Sequence, residues 1–320
     1  WRWLFIGLAP FVFIVIILAL KYLMNVADTT KARLDIVSVI LSTIGFGCVL
    51  FGFSSAGSKG WDHPIVITTI ITGVIVTTLF CLRQIKSNDP LLNLSVFKYK
   101  IFTLTSVINV LITMIMYADL ILLPIYLQNG RGFTAFESGL LLLPGAVINA
   151  FLSPITGKMY DKYGAKPLFI TGLVFIIISM WGVIDLTEST TYMYVMVRTI
   201  ILRIGLSFIS MPLKTAGLNA LPGELGSHGS AVNNTVRQLA GAIGTAVVIT
   251  IYTTQATSHV SELSLENGNI AAIQLAKLSS IFGSSVAYLF MLFLSFVALI
   301  FACFMPKKVV TQKLESKASN

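Results

Sequence analysis

Nine long apolar segments divide the chain and constrain its fold more than any other feature. A helix needs about 20 mostly apolar residues to cross the hydrocarbon layer of a bilayer, which is about 30 Å thick. Because backbone polar groups in lipid must be satisfied internally, each segment is predicted to be a helix. A β-barrel would instead show short segments of alternating hydropathy. The predicted spans cover residues 3–24, 34–53, 64–82, 101–127, 137–160, 166–184, 192–213, 229–253 and 278–305.

Charged residues make up only 11% of the 320 residues, whereas a soluble domain has about 25%. The chain therefore has too few charges to cover a water-facing surface. This composition excludes a soluble enzyme, a secreted disulfide scaffold, a disordered tail and a coiled coil. It leaves an all-α, polytopic membrane helix bundle whose main partner is the lipid bilayer.

Lysine and arginine are distributed unevenly between the two sides that nine alternating spans create. With residue 1 outside, the outer loops hold four of the 22 basic residues, the inner loops hold fifteen, and three lie within spans. Basic residues accumulate in cytoplasmic loops. We therefore predict a multi-pass plasma-membrane protein with residue 1 on the outer side and a basic cytoplasmic tail at 307–320. The longest outer loop is expected at 254–277.

Motifs for metal binding, nucleotide binding and catalysis are missing from the sequence. The three cysteines lie in apolar runs without a CxxC pair, and the three histidines lie far apart, which argues against a metal site. The absence of a Walker motif argues against an ATP-driven exporter. The net charge of +9 is explained by cytosolic loops rather than by nucleic acid. We expect neither a cofactor, nor a catalytic site, nor enzyme activity.

Asp119 is the only acidic residue deep within a predicted span. An ionised group there costs about 2.5–3.5 kcal/mol on insertion scales, so it is a candidate functional residue. It can bind a proton or pair with a cationic drug. A third alternative is a structural ion pair, and the sequence leaves all three open. A polar stripe of Ser106, Asn109, Thr113 and Tyr117 runs along the same helix. Asp119 lies off its centre and is expected to face a neighbouring helix.

Several stretches resemble one family of membrane transporters. Residues 157–166 read GKMYDKYGAK, which resembles the loop motif G-x-x-x-D-R/K-x-G-R-R/K except that Ala165 stands where a basic residue is usual. The opening WRWLF with Pro10, the segment from Gly139 to Gly145, and GSAVNN followed by RQLAGAIG at 229–244 fit the same group. Together they resemble the major facilitator superfamily, and more narrowly its fourteen-span drug:proton antiporters of the EmrB/QacA type.

The resemblance implies a division of the chain. The superfamily has two six-helix halves, and the fourteen-span group inserts two helices between them. Residues 1–24 then form the last helix of the first half, 25–90 the two inserted linker helices, 91–306 the C-terminal six-helix bundle, and 307–320 the tail. Most of the N-terminal six-helix half would then be absent from this chain and is expected as a missing partner. The isolated chain is then expected not to complete alternating access, since the carrier's cavity lies between the halves.

The resemblance also implies roles for particular residues. Arg203 looks like the second-half counterpart of a buried arginine linked to proton coupling, and the alternative is a packing arginine bonded to backbone carbonyls. The proton-coupling or substrate set then comprises Asp119, Arg203, Asn109, Thr113 and Tyr117. The gating loop comprises Gly157, Asp161, Lys162 and Gly164, with the Asp161 carboxylate expected to cap the helix beginning near Lys166. An interhelical or gating role falls to Arg237, Gly241 and Gly244, because small residues permit close packing. Arg198 is expected to snorkel toward the outer face.

The predicted function is proton-coupled efflux of lipophilic, often cationic drugs. Small-molecule drugs and protons are its expected ligands, and abundant methionine and aromatic residues suit such drugs. Two alternatives stay open at this point. One is a specific metabolite permease of the same fold, and the other is a truncated fragment that does not transport.

Overall fold

The computed structural model describes residues 2–22, 35–87, 89–184, 186–266 and 271–306, and in these ranges every regular element is helical. Within these described ranges, nine α-helices match the nine predicted spans one to one. Residues 1 and 307–320, which include the predicted basic tail, lie outside the described residues. The helices are α1 Arg2–Tyr22, α2 Ile36–Lys59, α3 Pro64–Lys86, α4 Lys100–Ile125, α5 Ala135–Tyr163, α6 Ala165–Trp181, α7 Tyr192–Asn219, α8 Gly226–Glu266 and α9 Ala272–Cys303.

Eight of these helices are long and apolar enough to cross a membrane. The remaining one, α6, has 17 residues, which gives about 25 Å at 1.5 Å per residue. It ends earlier than the predicted span 166–184, because beyond Trp181 the chain tightens into turns in which Val183 and Ile184 each donate to the carbonyl three residues earlier.

The predicted outer loop 254–277 is largely helical, because α8 continues to Glu266 and α9 begins at Ala272. Hydropathy locates the lipid boundary, but it does not locate the end of a helix. This segment has no proline, and its first glycine is Gly268. The hydroxyls of Thr257, Ser261 and Ser264 each donate to the carbonyl four residues earlier, so the polar residues are accommodated in helical geometry.

The chain forms two compact units, Trp1–Leu34 and Asp35–Asn320. In the first unit, α1 has Pro10 inside it and remains a single helix. Its 21 residues correspond to about 31 Å, which matches the hydrocarbon thickness.

Helices α2 and α3 form a closely packed hairpin in the second unit. A Cβ built on Gly73 would lie 2.6 Å from the Val49 amide nitrogen, so the two backbones approach as only glycine allows. At the hairpin turn, the Trp61 indole N–H donates to the Thr250 hydroxyl of α8 at 2.6 Å. The hairpin is therefore attached to the helices that follow it.

Helices α4 to α9 pack around a common apolar core. Helix α7 packs against α5 and α6, while α9 packs against α6 and α8, and α4 lies against α7, α8 and α9. Gly172 of α6 and Gly205 of α7 face each other, since a Cβ on either would lie 2.7 Å from the other's carbonyl oxygen. This arrangement turns one face of α4 toward α7 and α9, and another face toward α8.

Candidate functional site

Asp119 is buried on the face of α4 that meets α7 and α9, with an exposed fraction of 3%. Arg203 of α7 reaches it, and the distance from Nη2 to Oδ2 is 3.8 Å. The Tyr288 hydroxyl of α9 donates to Oδ1 at 3.3 Å. Two residues chosen separately from the sequence, Asp119 and Arg203, are thus brought together, and Tyr288 joins them.

A glycine on α5 makes the position of Arg203 possible. A Cβ on Gly145 would lie 2.9 Å from the Arg203 Cγ, so the arginine stem passes where that glycine leaves space. The Asn149 side chain, also on α5, donates to the Arg203 carbonyl at 3.3 Å. Helix α5 therefore orients the guanidinium toward Asp119, although it supplies no charge to the pair.

Arg198 lies inside the bundle, so the expectation that it snorkels is wrong. Its exposed fraction is 6%, and its guanidinium donates to the Ser179 hydroxyl of α6 at 3.4 Å. Gly182 leaves room for this side chain, because a Cβ there would lie 3.1 Å from the Arg198 Nε. The charge of Arg198 also acts on Asp119 from a greater distance, whereas the ion pair within the described residues is made by Arg203.

Two opposing influences act on the carboxylate in this cluster. Burial disfavours a charged carboxylate, whereas a nearby guanidinium favours it, so the separation of the pair sets the balance. Among the described residues, the Asp119 Oδ2 atom has no hydrogen-bond partner, and 3.8 Å to Arg203 is longer than a hydrogen bond. A movement that changes this distance would change the affinity of Asp119 for a proton.

The polar stripe of α4 faces α8 instead. Asn109 donates through its side-chain amide to the Asn233 oxygen at 2.7 Å, and Thr113 donates to the Asn109 oxygen at 3.5 Å. Both line a cleft that also contains Arg237 of α8. Asn109 lies ten residues before Asp119, which is about 15 Å along the helix axis. The structure therefore separates Asn109 and Thr113 from Asp119.

Tyr117 and the two glycines lie where α4 and α8 touch. A Cβ on Gly241 would lie 3.1 Å from the Tyr117 ring, and one on Gly244 would lie 2.6 Å from the Met114 Cα. At Gly244 the obstacle is backbone, so rotation of a side chain cannot relieve it. Tyr117 is thus a packing partner of α8 in this structure.

The predicted gating loop is a tight turn between α5 and α6. The expectation that Asp161 caps α6 is wrong, because α5 continues to Tyr163 and the residue before α6 is Gly164, at a φ of 81°. Asp161 is exposed and has no ion pair within the described ranges. The Lys162 ammonium lies 5.2 Å from the Tyr163 ring centroid. A Cβ on Gly157 would meet only the Met211 Cγ at 3.9 Å, so that position has room.

Sequence reasoning missed Tyr288, Asn233 and Lys214 as site residues. A signal for Tyr288 exists, because Ser280, Ser284 and Tyr288 recur every four residues along α9. Lys214 lies just beyond the predicted span 192–213, but α7 extends to Asn219 and places it on a helix. Asn233 lies in the stretch that carried the family resemblance, where no role followed from spacing alone.

The fold and the cluster together define a class. Long apolar helices that enclose a carboxylate, two arginines and a polar cleft are typical of multi-pass membrane transport proteins, in which intramembrane charges mark ion or substrate pathways. The model of the Major Facilitator Superfamily matches residues 1–245. The chain therefore belongs to the Major Facilitator Superfamily and is a multi-pass membrane protein.

Relatives place the chain near drug exporters. It is 47% identical over 263 residues to an uncharacterised MFS-type transporter of Bacillus subtilis, YhcA, covering 82% of this chain and 49% of the relative. It is 40% identical over 309 residues to the lincomycin resistance protein LmrB of the same species, covering 96% and 64%. The multidrug export protein EmrB of Escherichia coli is 27% identical over 267 residues, covering 82% and 52%. The chain thus spans about half to two thirds of the length of these relatives, and the expected resemblance to the drug antiporters is confirmed.

Proposed function

We propose that this chain is the C-terminal portion of a secondary active exporter of lipophilic drugs that is driven by protons across the plasma membrane. The observation that carries the proposal is the buried carboxylate of Asp119 between Arg203 and Tyr288. The names of LmrB and EmrB, which refer to lincomycin resistance and multidrug export, support the choice of drugs as substrates.

In this proposal Asp119 carries the coupling proton. When Asp119 is protonated, its attraction to Arg203 is lost, so α4 and α7 are free to adopt a second arrangement. When the proton leaves, the pair re-forms. A group that switches between such environments links proton binding to movement of the helices.

The remaining assignments are part of the same proposal. Helix α1 is the last helix of the first half, α2 and α3 are inserted helices, and α4 to α9 are the second half. Residue 1 is on the outer side and the tail is cytoplasmic, as the distribution of basic residues indicates. The first half completes the drug pathway.

The test is an export assay on the protein expressed from its own gene in a drug-sensitive bacterium. Resistance to lincomycin and accumulation of tetraphenylphosphonium, a lipophilic cation of fixed charge, are recorded for wild type and Asp119→Asn. We expect the variant to reach the membrane in normal amount and to lose proton-driven export, at least tenfold in rate.

The matched control is Asp62→Asn, which neutralises an exposed acid in the turn between α2 and α3. It should export as wild type does. If Asp119→Asn exports every compound at the wild-type rate, the coupling role is refuted. If the wild-type protein exports neither compound, the proposed drug substrates are wrong.

A further inference from the structure

Two adjoining cavities form one cleft between α4, α7 and α8. Their volumes are about 200 and 120 Å³. Asn109 of α4, Lys214 of α7 and Arg237 of α8 line both of them. Because the three helices each contribute one of these residues, the cleft is a place where a ligand would contact all three.

The cleft is positively charged. Its lining includes Lys214 and Arg237, and no acidic side chain is among the lining residues of either cavity. Within the described ranges, neither cation forms an ion pair, whereas Arg83 pairs with Asp35 and Arg203 with Asp119. Two cations without a carboxylate partner, beside a cavity, favour a ligand that brings negative charge.

Neutral donors surround the two cations. Asn109 is buried, and its bond to Asn233 fixes both amides by satisfying one donor and one acceptor. Ser230 lines the larger cavity and Ser210 the smaller one, each with a hydroxyl. Arginine matches carboxylate and phosphate geometry with two parallel N–H groups, and lysine adds a point charge.

We propose that this cleft binds an oxyanion, a carboxylate or phosphate group, carried either by a small organic anion or by a lipid headgroup. Arg237 binds the oxyanion directly, Lys214 adds charge from the opposite helix, and the amide pair positions the cleft. The site is separate from the Asp119 cluster, since Asn109 lies about 15 Å from Asp119 along α4.

Oxyanion binding at the cleft deepens the proposed export function by adding a ligand site. The binding itself does not depend on export, and only the role of the cleft in drug transport rests on the proposed function. A drug that contacts this cleft does so through an anionic group, and a lipophilic cation binds elsewhere because like charges repel. Binding at the cleft is measured without transport, so the two proposals fail separately.

The experiment titrates purified chain with inorganic phosphate in a neutral detergent at constant ionic strength, and follows heat of binding and thermal stability. The variants are Arg237→Gln and Lys214→Gln. The control is Lys158→Gln, which removes an exposed lysine of α5 that does not line the cleft. We expect saturable binding that weakens at least tenfold in Arg237→Gln, and less in Lys214→Gln, with no change in the control.

A second arm distinguishes the two sources of the oxyanion. In phosphatidylcholine nanodiscs, added phosphatidylglycerol either competes with phosphate, which assigns the cleft to a lipid headgroup, or leaves phosphate binding intact, which assigns it to a soluble anion.

The proposal is overturned if wild type shows no saturable phosphate binding, or if all three variants bind as wild type does. Because Lys214 is exposed, its variant keeps the test valid should Arg237→Gln misfold. Tetraphenylphosphonium binding is measured on the same variants, and both cleft variants should retain it. A loss of phosphate binding is thereby distinguished from a failure of the export proposal.

Discussion

At the scale of single residues, Asp119 is held by two partners of different kinds. Arg203 contributes charge at 3.8 Å, and Tyr288 contributes a hydrogen bond at 3.3 Å. A phenol cannot neutralise a carboxylate at neutral pH, but it fixes one oxygen and leaves the other for the arginine. Tyr288 is therefore a positioning residue for the pair, and its hydroxyl should matter beyond packing.

We predict that Tyr288→Phe lowers the free energy of unfolding by about 1.5 kcal/mol, the order expected for a hydrogen bond to a charged group. It should also reduce proton-coupled export several-fold. Thermal unfolding in detergent and the export assay measure the two effects. Tyr252→Phe is the matched control, because it removes a 3.0 Å bond to Ser280 between α8 and α9 without touching Asp119. Equal loss of export in both variants would count against a special role for Tyr288.

The sequence predicted Asp119 and Arg203 as separate candidates but could not pair them. Pairing depends on the rotation of α4 and α7 about their axes, which the packing of Gly145 against the Arg203 stem helps to set. Arg198 was misjudged for a related reason. Its distance from a helix end suggested exposure, but Ser179 of α6 and Gly182, which follows α6, give it a buried place.

At the scale of helices, glycine residues permit the closest contacts between neighbouring helices. Gly244 of α8 meets the backbone of α4 at Met114. In the membrane such close approach replaces the hydrophobic effect as the source of helix association. The sequence identified this small-residue face, but not the helix that it meets.

We predict that Gly244→Ala destabilises the protein by about 1–3 kcal/mol, since the added methyl overlaps backbone and forces the two helices apart. The control is Gly139→Ala, where a Cβ meets nothing within 4 Å. Alanine is the better helix former, so the control should be neutral or stabilised by up to about 1 kcal/mol. Thermal unfolding of the two variants in the same detergent decides the matter, and equal stability would contradict the contact.

The start of α2 and the end of α3 are joined by an ion pair. Arg83 donates to both Asp35 oxygens, at 2.9 and 3.1 Å, and Ser38 donates to one of them at 2.6 Å. These bonds, the one from Arg83 first, hold the pKa of Asp35 well below its usual range. A depressed folded-state pKa contributes stability above the unfolded value, about 3.9, and that contribution is lost as the pH falls toward the folded value.

Asp35→Asn should therefore unfold at a lower temperature than wild type at pH 7, with the gap closing as the pH falls below about 4. The effect should be small because both side chains are partly exposed. Asp62→Asn, in the α2–α3 turn, serves as the control and should behave as wild type at both pH values. A gap that is constant or that widens in acid would exclude this account of the pair.

Helix ends were predicted less well than helix existence. The apolar runs fix nine helices because lipid leaves the backbone no alternative. Beyond the lipid boundary that constraint disappears, so the extension of α8 to Glu266 and the place of Asp161 inside α5 depended on local hydrogen bonds. Hydropathy averaged along the sequence contains no information about these hydrogen bonds.

At the scale of the whole molecule, α4 carries two kinds of chemistry on two faces. Toward α7 and α9 it presents Asp119, and toward α8 it presents Asn109 and Thr113 beside a positively charged cleft. A rotation or tilt of α4 against its neighbours would alter both sites together. In our account, a drug that moves α4 on binding, inside or outside the cleft, changes the proton affinity of Asp119, and this links drug binding to proton release.

The measurement that tests this claim most directly is proton release on drug binding. Purified protein in a weakly buffered detergent solution with a pH indicator is mixed with tetraphenylphosphonium, whose fixed charge contributes no proton. We predict that wild type releases protons as the cation binds, and that Asp119→Asn binds the cation with no release. Equal release by both proteins, or binding to wild type without any release, would contradict Asp119 as the coupling site.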